Sequence, residues 1–381
     1  MKKIAVVTGT RAEYGILFPV LKAIAARPEL KLSLLVTGMH LSHEFGYTVQ
    51  EIEKDGFKID ARVDMLLSSD TVGAMAKSVG VGILGMAQAW EQLKPDIILV
   101  LGDRIEPLAA VIAGAYMNIP IAHIHGGDAC GNIDNPARHA ITKFAHIHFP
   151  ATGKSAERII KMGEDEWRVH MVGSPTLDVL LKETLLSTKV LSKRLGLDLS
   201  RPLILVVQHP VTTQADEAAE QMKITLEAVL ETGYPVVLIY PNSDAGGRRM
   251  IEVIKNYENH PSIKTFKSMP RQEYLSLMKV ASIMVGNSSS GIIEAPSFGL
   301  PAVNIGSRQE GRERGKNVID VGHNKQEILR AIKKALTSRA FLKEVKKCES
   351  PYGDGKASQR IAEILSQLEI TPQFLQKKMT Y

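Results

Sequence analysis

The run His123-Ile124-His125-Gly126-Gly127-Asp128, followed by Asp134, Arg138 and His139, concentrates titratable groups between two predicted elements. Histidine exchanges protons near neutral pH and aspartate accepts them, so the run suits acid–base chemistry. His123 and His125 alternate on a predicted strand and therefore point to opposite faces. A His-x-His spacing without a clear third ligand does not favour a metal site. Asp134 and Arg138 stand four apart, on one face if a helix starts there, as a reactive or a structural pair. Gly102-Asp103-Arg104 closes an apolar run and reads either as an acid–base or phosphate element or as an ion pair.

A second group of residues suits phosphate. In Gly286-Asn287-Ser288-Ser289-Ser290-Gly291, small residues allow close backbone approach, and the serine hydroxyls and following N–H groups suit a diphosphate. Glu294, within the next turn or two, is placed to accept hydrogen bonds from ribose hydroxyls. A serine-capped helix with no ligand is the alternative. Gln208-His209-Pro210 and Pro241-Asn242-Ser243-Asp244 each end a predicted strand, where His209 suits a phosphate donor or general acid. Gly9-Thr10-Arg11 opens a helix after the first strand; it is not GxGxxG, so dinucleotide binding has no support. Arg308, Arg312 and Arg314 would add a cationic rim or remain surface charges.

The elements that must position these groups are short apolar runs alternating with helical patterns. Ile4–Val7, Leu32–Thr37, Ile97–Leu101 and Ile119–Ile124 read as one series of buried parallel strands. Leu203–Gln208, Pro235–Tyr240, Ile283–Gly286 and Ala302–Ile305 read as a second. Helical patterns lie at Val72–Leu93, Ala215–Thr232, Gln272–Val280, Gly291–Phe298 and Ala357–Leu368. The reading is an α/β protein of two Rossmann-like domains facing a central cleft, residues 1–173 and 174–381, with the last helix crossing back. The boundary is set at Gly173-Ser174-Pro175, after a strand-like Val169–Val172.

Bulk properties fit that reading. The chain has 381 residues, 44% hydrophobic and 23% charged, enough for two cores. A net charge of +6 spread along the chain, with 5% aromatics, does not suggest a nucleic-acid binder. Cys130 and Cys348 are far apart, which argues against a disulfide framework or structural zinc and fits a reducing compartment. The first apolar run is broken by Thr8, Gly9, Thr10 and Arg11, so it reads as a strand and not a signal peptide. No stretch reads as the ~20 apolar residues of a membrane span, and the chain is predicted to be soluble and cytoplasmic.

Taken in order, GTRAEYG, VTGMHLS, GDRIEPLAA, HGGDACGNIDNPARHAITKFAHIH, GSPTLD, QHPVTT, YPNSDAG, GNSSSGIIEAP, GSRQEGRERG and YGDG resemble the UDP-N-acetylglucosamine 2-epimerase family. The likeness runs over nearly the whole chain and is to the hydrolysing branch used for sialic-acid precursors. It implies a GT-B-like pair of lobes holding a UDP-sugar, no metal or nicotinamide cofactor, no nucleic-acid or membrane partner, and a homo-oligomer. The implied reaction converts UDP-N-acetylglucosamine and water to N-acetylmannosamine and UDP, through 2-acetamidoglucal. By position, Arg11, Arg104, His209, Asn242, Ser288, Ser289, Glu294 and Arg308 match nucleotide-contacting residues. Asp103 and Asp134 match acidic positions proposed for catalysis, and His209 or a nearby arginine would stabilise the leaving UDP.

With Arg138 and Ser290 from the spacing arguments, these form the candidate site. One departure stands out. The branch's best-known members read His-Ile-Glu-Gly-Gly, with that glutamate considered catalytic; this chain has His125 there. Histidine keeps proton exchange but not the negative charge that would steady an oxocarbenium-like centre. Related enzymes act on UDP-2,4-diacetamido-2,4,6-trideoxyglucose in the legionaminic-acid route, which is the alternative substrate. The motifs also leave open a non-hydrolysing 2-epimerase, a glycosyltransferase and a non-catalytic nucleotide-sugar binder.

Overall fold

The computed structural model describes residues 1–69, 71–129, 134–180, 184–378 and 380. The chain forms two compact units: Met1–Ala129 with Ile133–Leu181 and Tyr352–Tyr381, and Lys182–Pro351.

The first unit is built on β1 (Lys2–Thr8), β2 (Leu30–Thr37), β3 (Ile59–Val63), β4 (Ile97–Leu101), β5 (Ile121–Ile124) and β6 (Ile147–Phe149). These form one parallel sheet in the order β3-β2-β1-β4-β5-β6. Because successive side chains alternate faces, each central strand feeds two cores. Ile4, Val6, Leu99 and Leu101 join one, while Ala5, Val7, Ile98 and Val100 join the other. The helices that matter below are α1 (Arg11–Ala25), α2 (Val72–Leu93), α3 (Ile105–Tyr116), α4 (Asp134–Phe144) and α5 (Pro175–Leu180).

The second unit repeats the arrangement with β7 (Ile204–Val207), β8 (Val236–Ile239), β9 (Ile263–Phe266), β10 (Ile283–Gly286), β11 (Ala302–Ile305) and β12 (Val318–Val321). Its parallel order is β12-β11-β10-β7-β8-β9, the same doubly wound order. In each sheet the winding reverses between the first and fourth strands, β1/β4 and β7/β10. Ligands of open α/β sheets bind beyond the carboxyl ends of strands at such reversals. α6 (Arg271–Val280) and α7 (Ser290–Ile293) flank β10 in sequence, and α8 (Ala357–Gln367) and α9 (Pro372–Leu375) end the chain.

α8 returns to the first unit, where Ile361, Ala362 and Leu365 join the core of α1. The Ser174 amide donates to the Tyr352 carbonyl at 2.7 Å. The Asp178 carboxylate accepts the amides of Ala357 at 3.0 Å and Ser358 at 2.6 Å, capping α8. GSPTLD and YGDG, far apart in sequence, thus meet.

Three local expectations are corrected. Val169–Val172 is not a strand; it contributes only a bridge from Val169 to His148. The helix expected over Gly291–Phe298 is split into α7 and a 3-10 turn, Ala295–Phe298, because Pro296 has no N–H to continue an α-helix. α2, at 22 residues, is long and apolar enough to cross a membrane by length and composition. It packs within the first unit through Ala74, Ser78, Gly82, Met86, Ala89 and Trp90.

Candidate active site

In the first unit the winding reversal brings together the turns after β1 and β4. The Gly9 amide donates to Glu13 Oε2 at 2.6 Å. Arg104 donates through Nε to Glu106 Oε2 at 3.2 Å. Glu106 is fully buried and lies so close to Gly9 that a Cβ there would meet its Cγ at 2.5 Å. Glycine is required at that position for the carboxylate to fit. Burial, then the neighbouring Glu106, pushes the Glu13 carboxyl up to about 8, with the Gly9 amide and Arg104 opposing. Arg11, at the start of α1, is held by Glu51 at 2.7 Å.

The adjacent strand ends, β4 and β5, carry the acid–base candidates. Asp103 follows β4, and Arg138 of α4 lays its guanidinium against the Asp103 carboxylate. Arg138 also donates to the Asp128 carbonyl at 2.8 Å. His125 is not on the strand. It sits in the turn beyond Ile124 with a left-handed backbone, φ 62°, which a non-glycine residue rarely adopts. Such strain persists where surroundings over-determine it, often at functional sites. Here the His125 amide donates to the Phe149 carbonyl at 3.1 Å, and Nε2 is 3.0 Å from the Ser174 hydroxyl. Nδ1 lies 3.6 Å from Asp128, whose other carboxylate oxygen accepts the Ser155 hydroxyl at 2.7 Å.

His123 has another job. Its Nε2 is 2.7 Å from the Gly102 carbonyl, so that nitrogen carries the proton, and Nδ1 accepts from Thr142 at 3.3 Å. Burial drives its pKa down to about 3, and it stays neutral. It is a strut between β4, β5 and α4. Asp134 opens α4, and its side chain lies outside what the structure describes, as does Cys130. Cys348 is a free thiol. Among the described residues no group of three or more His, Cys, Asp or Glu could hold a metal ion.

In the second unit the reversal between β7 and β10 is bridged by Asn287. Its Oδ1 accepts the His209 amide at 2.7 Å and its Nδ2 donates to the His209 carbonyl at 2.8 Å. The Asn242 amide donates to His209 Nδ1 at 3.1 Å, so the neutral imidazole carries its proton on Nε2. The Asn242 side chain closes its own turn on Asp244 at 2.6 Å. Gly286 has φ 131°, and a Cβ there would stand 2.2 Å from the Val207 carbonyl, so only glycine lets β7 and β10 close here.

Beyond it Ser288, Ser289 and Ser290 turn into α7, with Ser288 Oγ accepting the Ser290 amide at 3.3 Å. α7 has four residues, so the summed helix dipole is small; local N–H groups and hydroxyls supply what donor power there is. Arg308 and Gln309 both donate to the Asn287 carbonyl, at 3.3 and 2.8 Å. Arg314 instead pairs with Asp320 and binds the Arg312 carbonyl at 3.2 Å, which makes it a brace of its loop and not part of a rim. Burial raises the Glu294 carboxyl.

Residues 22–366 match the family described as UDP-N-acetylglucosamine 2-epimerase. A Legionella pneumophila protein named UDP-N,N'-diacetylbacillosamine 2-epimerase (hydrolyzing) is 41% identical over 100% of both chains. The chain belongs to the UDP-N-acetylglucosamine 2-epimerase family. Its relatives place it in the hydrolysing branch. A Campylobacter jejuni GDP/UDP-N,N'-diacetylbacillosamine 2-epimerase (hydrolyzing) is 39% identical over 84% of each chain. A Neisseria meningitidis UDP-N-acetylglucosamine 2-epimerase is 33% identical over 97% of this chain and 96% of that one.

Among solved structures, UDP-GlcNAc 2-epimerase from Neisseria meningitidis bound to UDP-GlcNAc matches with TM-score 0.81 at 20% identity, covering 96% of this chain and 99% of that one. That likeness shows the two-unit, GT-B-like fold of this epimerase-family member. Within it, Asp103, Arg104, His125 and Arg138 gather in the first unit, and His209, Asn242, Ser288, Ser289, Ser290, Glu294 and Arg308 in the second. Three polar residues near the site are assigned no part by the sequence, Glu13, Glu106 and Tyr274, and Asn287 is read there only as a member of its motif. Tyr274 of α6 lies beside Ser288, Ser290 and Glu294. The position of Asn287, at a strand end before three serines, marks the motif but not its grip on His209.

Proposed function

We propose that this chain catalyses hydrolytic 2-epimerisation of UDP-N,N'-diacetylbacillosamine, releasing UDP and the 2-epimeric 2,4-diacetamido sugar. The observation that carries the reaction class is the pair of adjacent strand ends, β4 and β5, one followed by Asp103 and the other by the strained His125. The sugar follows from the two relatives named for it, which match at higher identity than the one named for UDP-N-acetylglucosamine.

A base among Asp103, His125 and Asp134 takes the C2 proton while the C1–O bond breaks, its electrons leaving with UDP and a C1–C2 double bond forming. Water then adds. Its oxygen joins C1, and C2 receives a proton on the opposite face. His209, Arg308 and the hydroxyls of Ser288, Ser289 and Ser290 meet the charge that grows on the diphosphate. Glu294 holds the ribose, and Arg11, Arg104 and Asn242 contact the nucleotide. In His125 a proton carrier replaces a fixed negative charge, and Asp128 and Ser174 orient its ring.

The second reading, UDP-N-acetylglucosamine as substrate, is favoured by the Neisseria meningitidis relative. Proton NMR in D2O with each UDP-sugar separates the two. Free UDP and product deuterated at C2, formed faster from the diacetamido substrate, is the expected result. A preference for UDP-N-acetylglucosamine selects the second reading, and freshly formed product without deuterium at C2 rules out the elimination route.

A further inference from the structure

The end of the chain is tied to the helix that carries Arg138. α4 has 11 residues, a length that is marginal on its own in water, so its order depends on packing and on what satisfies its ends. The last carbonyls of a helix have no partners within it and carry partial negative charge. Here Lys377 meets them. Its ammonium donates to the carbonyls of Ala145 at 2.6 Å and Lys143 at 2.7 Å, with Thr142 at 3.4 Å.

The same ammonium lies 2.6 Å from Glu164 Oε2. Glu164, 1% exposed, also accepts from Lys143 of α4 at 2.6 Å and lies 3.2 Å from His148 Nε2. One buried carboxylate thus joins the helix and the tail.

The tail is itself clamped. Phe374 of α9 is 2% exposed, and its carbonyl accepts from Arg168 at 2.9 Å. Arg168 also reaches the carbonyl of Gln373 at 3.2 Å, and its guanidinium lies 4.1 Å from the centre of the Trp167 ring. Further along α4, Arg138 engages Asp103 and the Asp128 carbonyl, and Thr142 touches His123. A three-turn helix held at its far end by a lysine from outside therefore bears the arginine that fixes the reacting cluster.

We propose that the C-terminal hook positions the active-site helix, with Lys377 as a positioning residue for Arg138 and, through it, for Asp103 and the turn of Asp128 and His125. The inference rests on the reading of that cluster as the reacting one. Without the ammonium, the last turn of α4 frays toward Arg138. Misplacing a reacting group by about 1 Å can cost about a hundredfold in rate.

The test compares the full chain with Lys377→Met and Lys377→Arg by hydrogen exchange of peptides covering 134–145, UDP affinity and kcat. In K377M, α4 amides are expected to exchange about tenfold faster or more. Its kcat is expected to fall by about tenfold to a hundredfold with UDP affinity unchanged, and K377R restores both. Unchanged α4 protection in K377M overturns the proposal. So does exchange that rises uniformly across the first unit, or kcat and UDP affinity falling together. If the wild-type chain turns over neither UDP-sugar, the proposed reaction fails, while the exchange comparison still decides the hook.

Discussion

Asn287 grips His209 twice, accepting its amide at 2.7 Å and donating to its carbonyl at 2.8 Å, so that one side chain joins the ends of β7 and β10. The turn that aims the His209 ring is therefore set by a residue on another strand. Asn287→Ala removes both hydrogen bonds to the part-buried His209 backbone and is expected to cost about 1–3 kcal/mol of stability. UDP affinity should fall by about tenfold, equivalent to about 1.4 kcal/mol. Calorimetric titration with UDP alongside thermal melting checks both, and wild-type affinity in the variant would contradict the assigned role.

His125 is held at φ 62° and bonded to Ser174. Asparagine tolerates the left-handed region but cannot move a proton near neutral pH. His125→Asn should therefore fold and bind UDP, while UDP release from the sugar drops by about 10²–10⁴-fold. Wild-type turnover in H125N would remove His125 from the proton-transfer steps.

Glu13 holds its proton up to about pH 8 in the folded chain, whereas the unfolded chain gives it up in the usual carboxylate range. Between those limits the folded state binds more protons, so this group's contribution to stability falls as pH rises toward 8 and is constant above it. Glu13→Gln keeps an acceptor for the Gly9 amide and removes the titration. Urea midpoints from pH 5 to 8.5 should show E13Q gaining on the wild type until about pH 8 and then running parallel. A constant difference would mean that Glu13 is ionised throughout.

His40 and His123 are both buried and pushed down to about 3 by loss of solvation. Unfolded histidines take up protons near 6.5, so stability is expected to be lost as pH falls from about 6.5 toward 3. His123→Gln, which can still donate to the Gly102 carbonyl, should make that acid limb shallower. Stability curves from pH 7 to 4 measure it, and equal slopes in both proteins would refute the assignment.

Eight strands are legible in the sequence, and the four that are not occupy the edges of the two sheets: β3, β6, β9 and β12. Central parallel strands are covered on both faces and read as unbroken apolar runs, as Ile97–Leu101 does. β9 and β12 keep water on one side, so Ile-Lys-Thr-Phe and Val-Ile-Asp-Val carry polar residues and lose the pattern, whereas β6 is buried but, at three residues with His148 in the middle, too short to show one. The polar strand ends are legible because small and charged residues interrupt the apolar runs where ligands approach.

What the sequence by itself determined is this periodicity and the ordered motifs, which are local properties of residue type. What only the tertiary structure decided is which polar and charged groups are spent on structure. Arg314 pairs with Asp320, His123 with the Gly102 carbonyl, and Lys377 with the end of α4. It also decided that Glu13 and Glu106 share one buried pocket behind Gly9. A side chain's chemistry is set by the partners and the solvent it meets. Those come from segments as distant as Lys143 and Lys377, whose meeting depends on the winding of the whole unit.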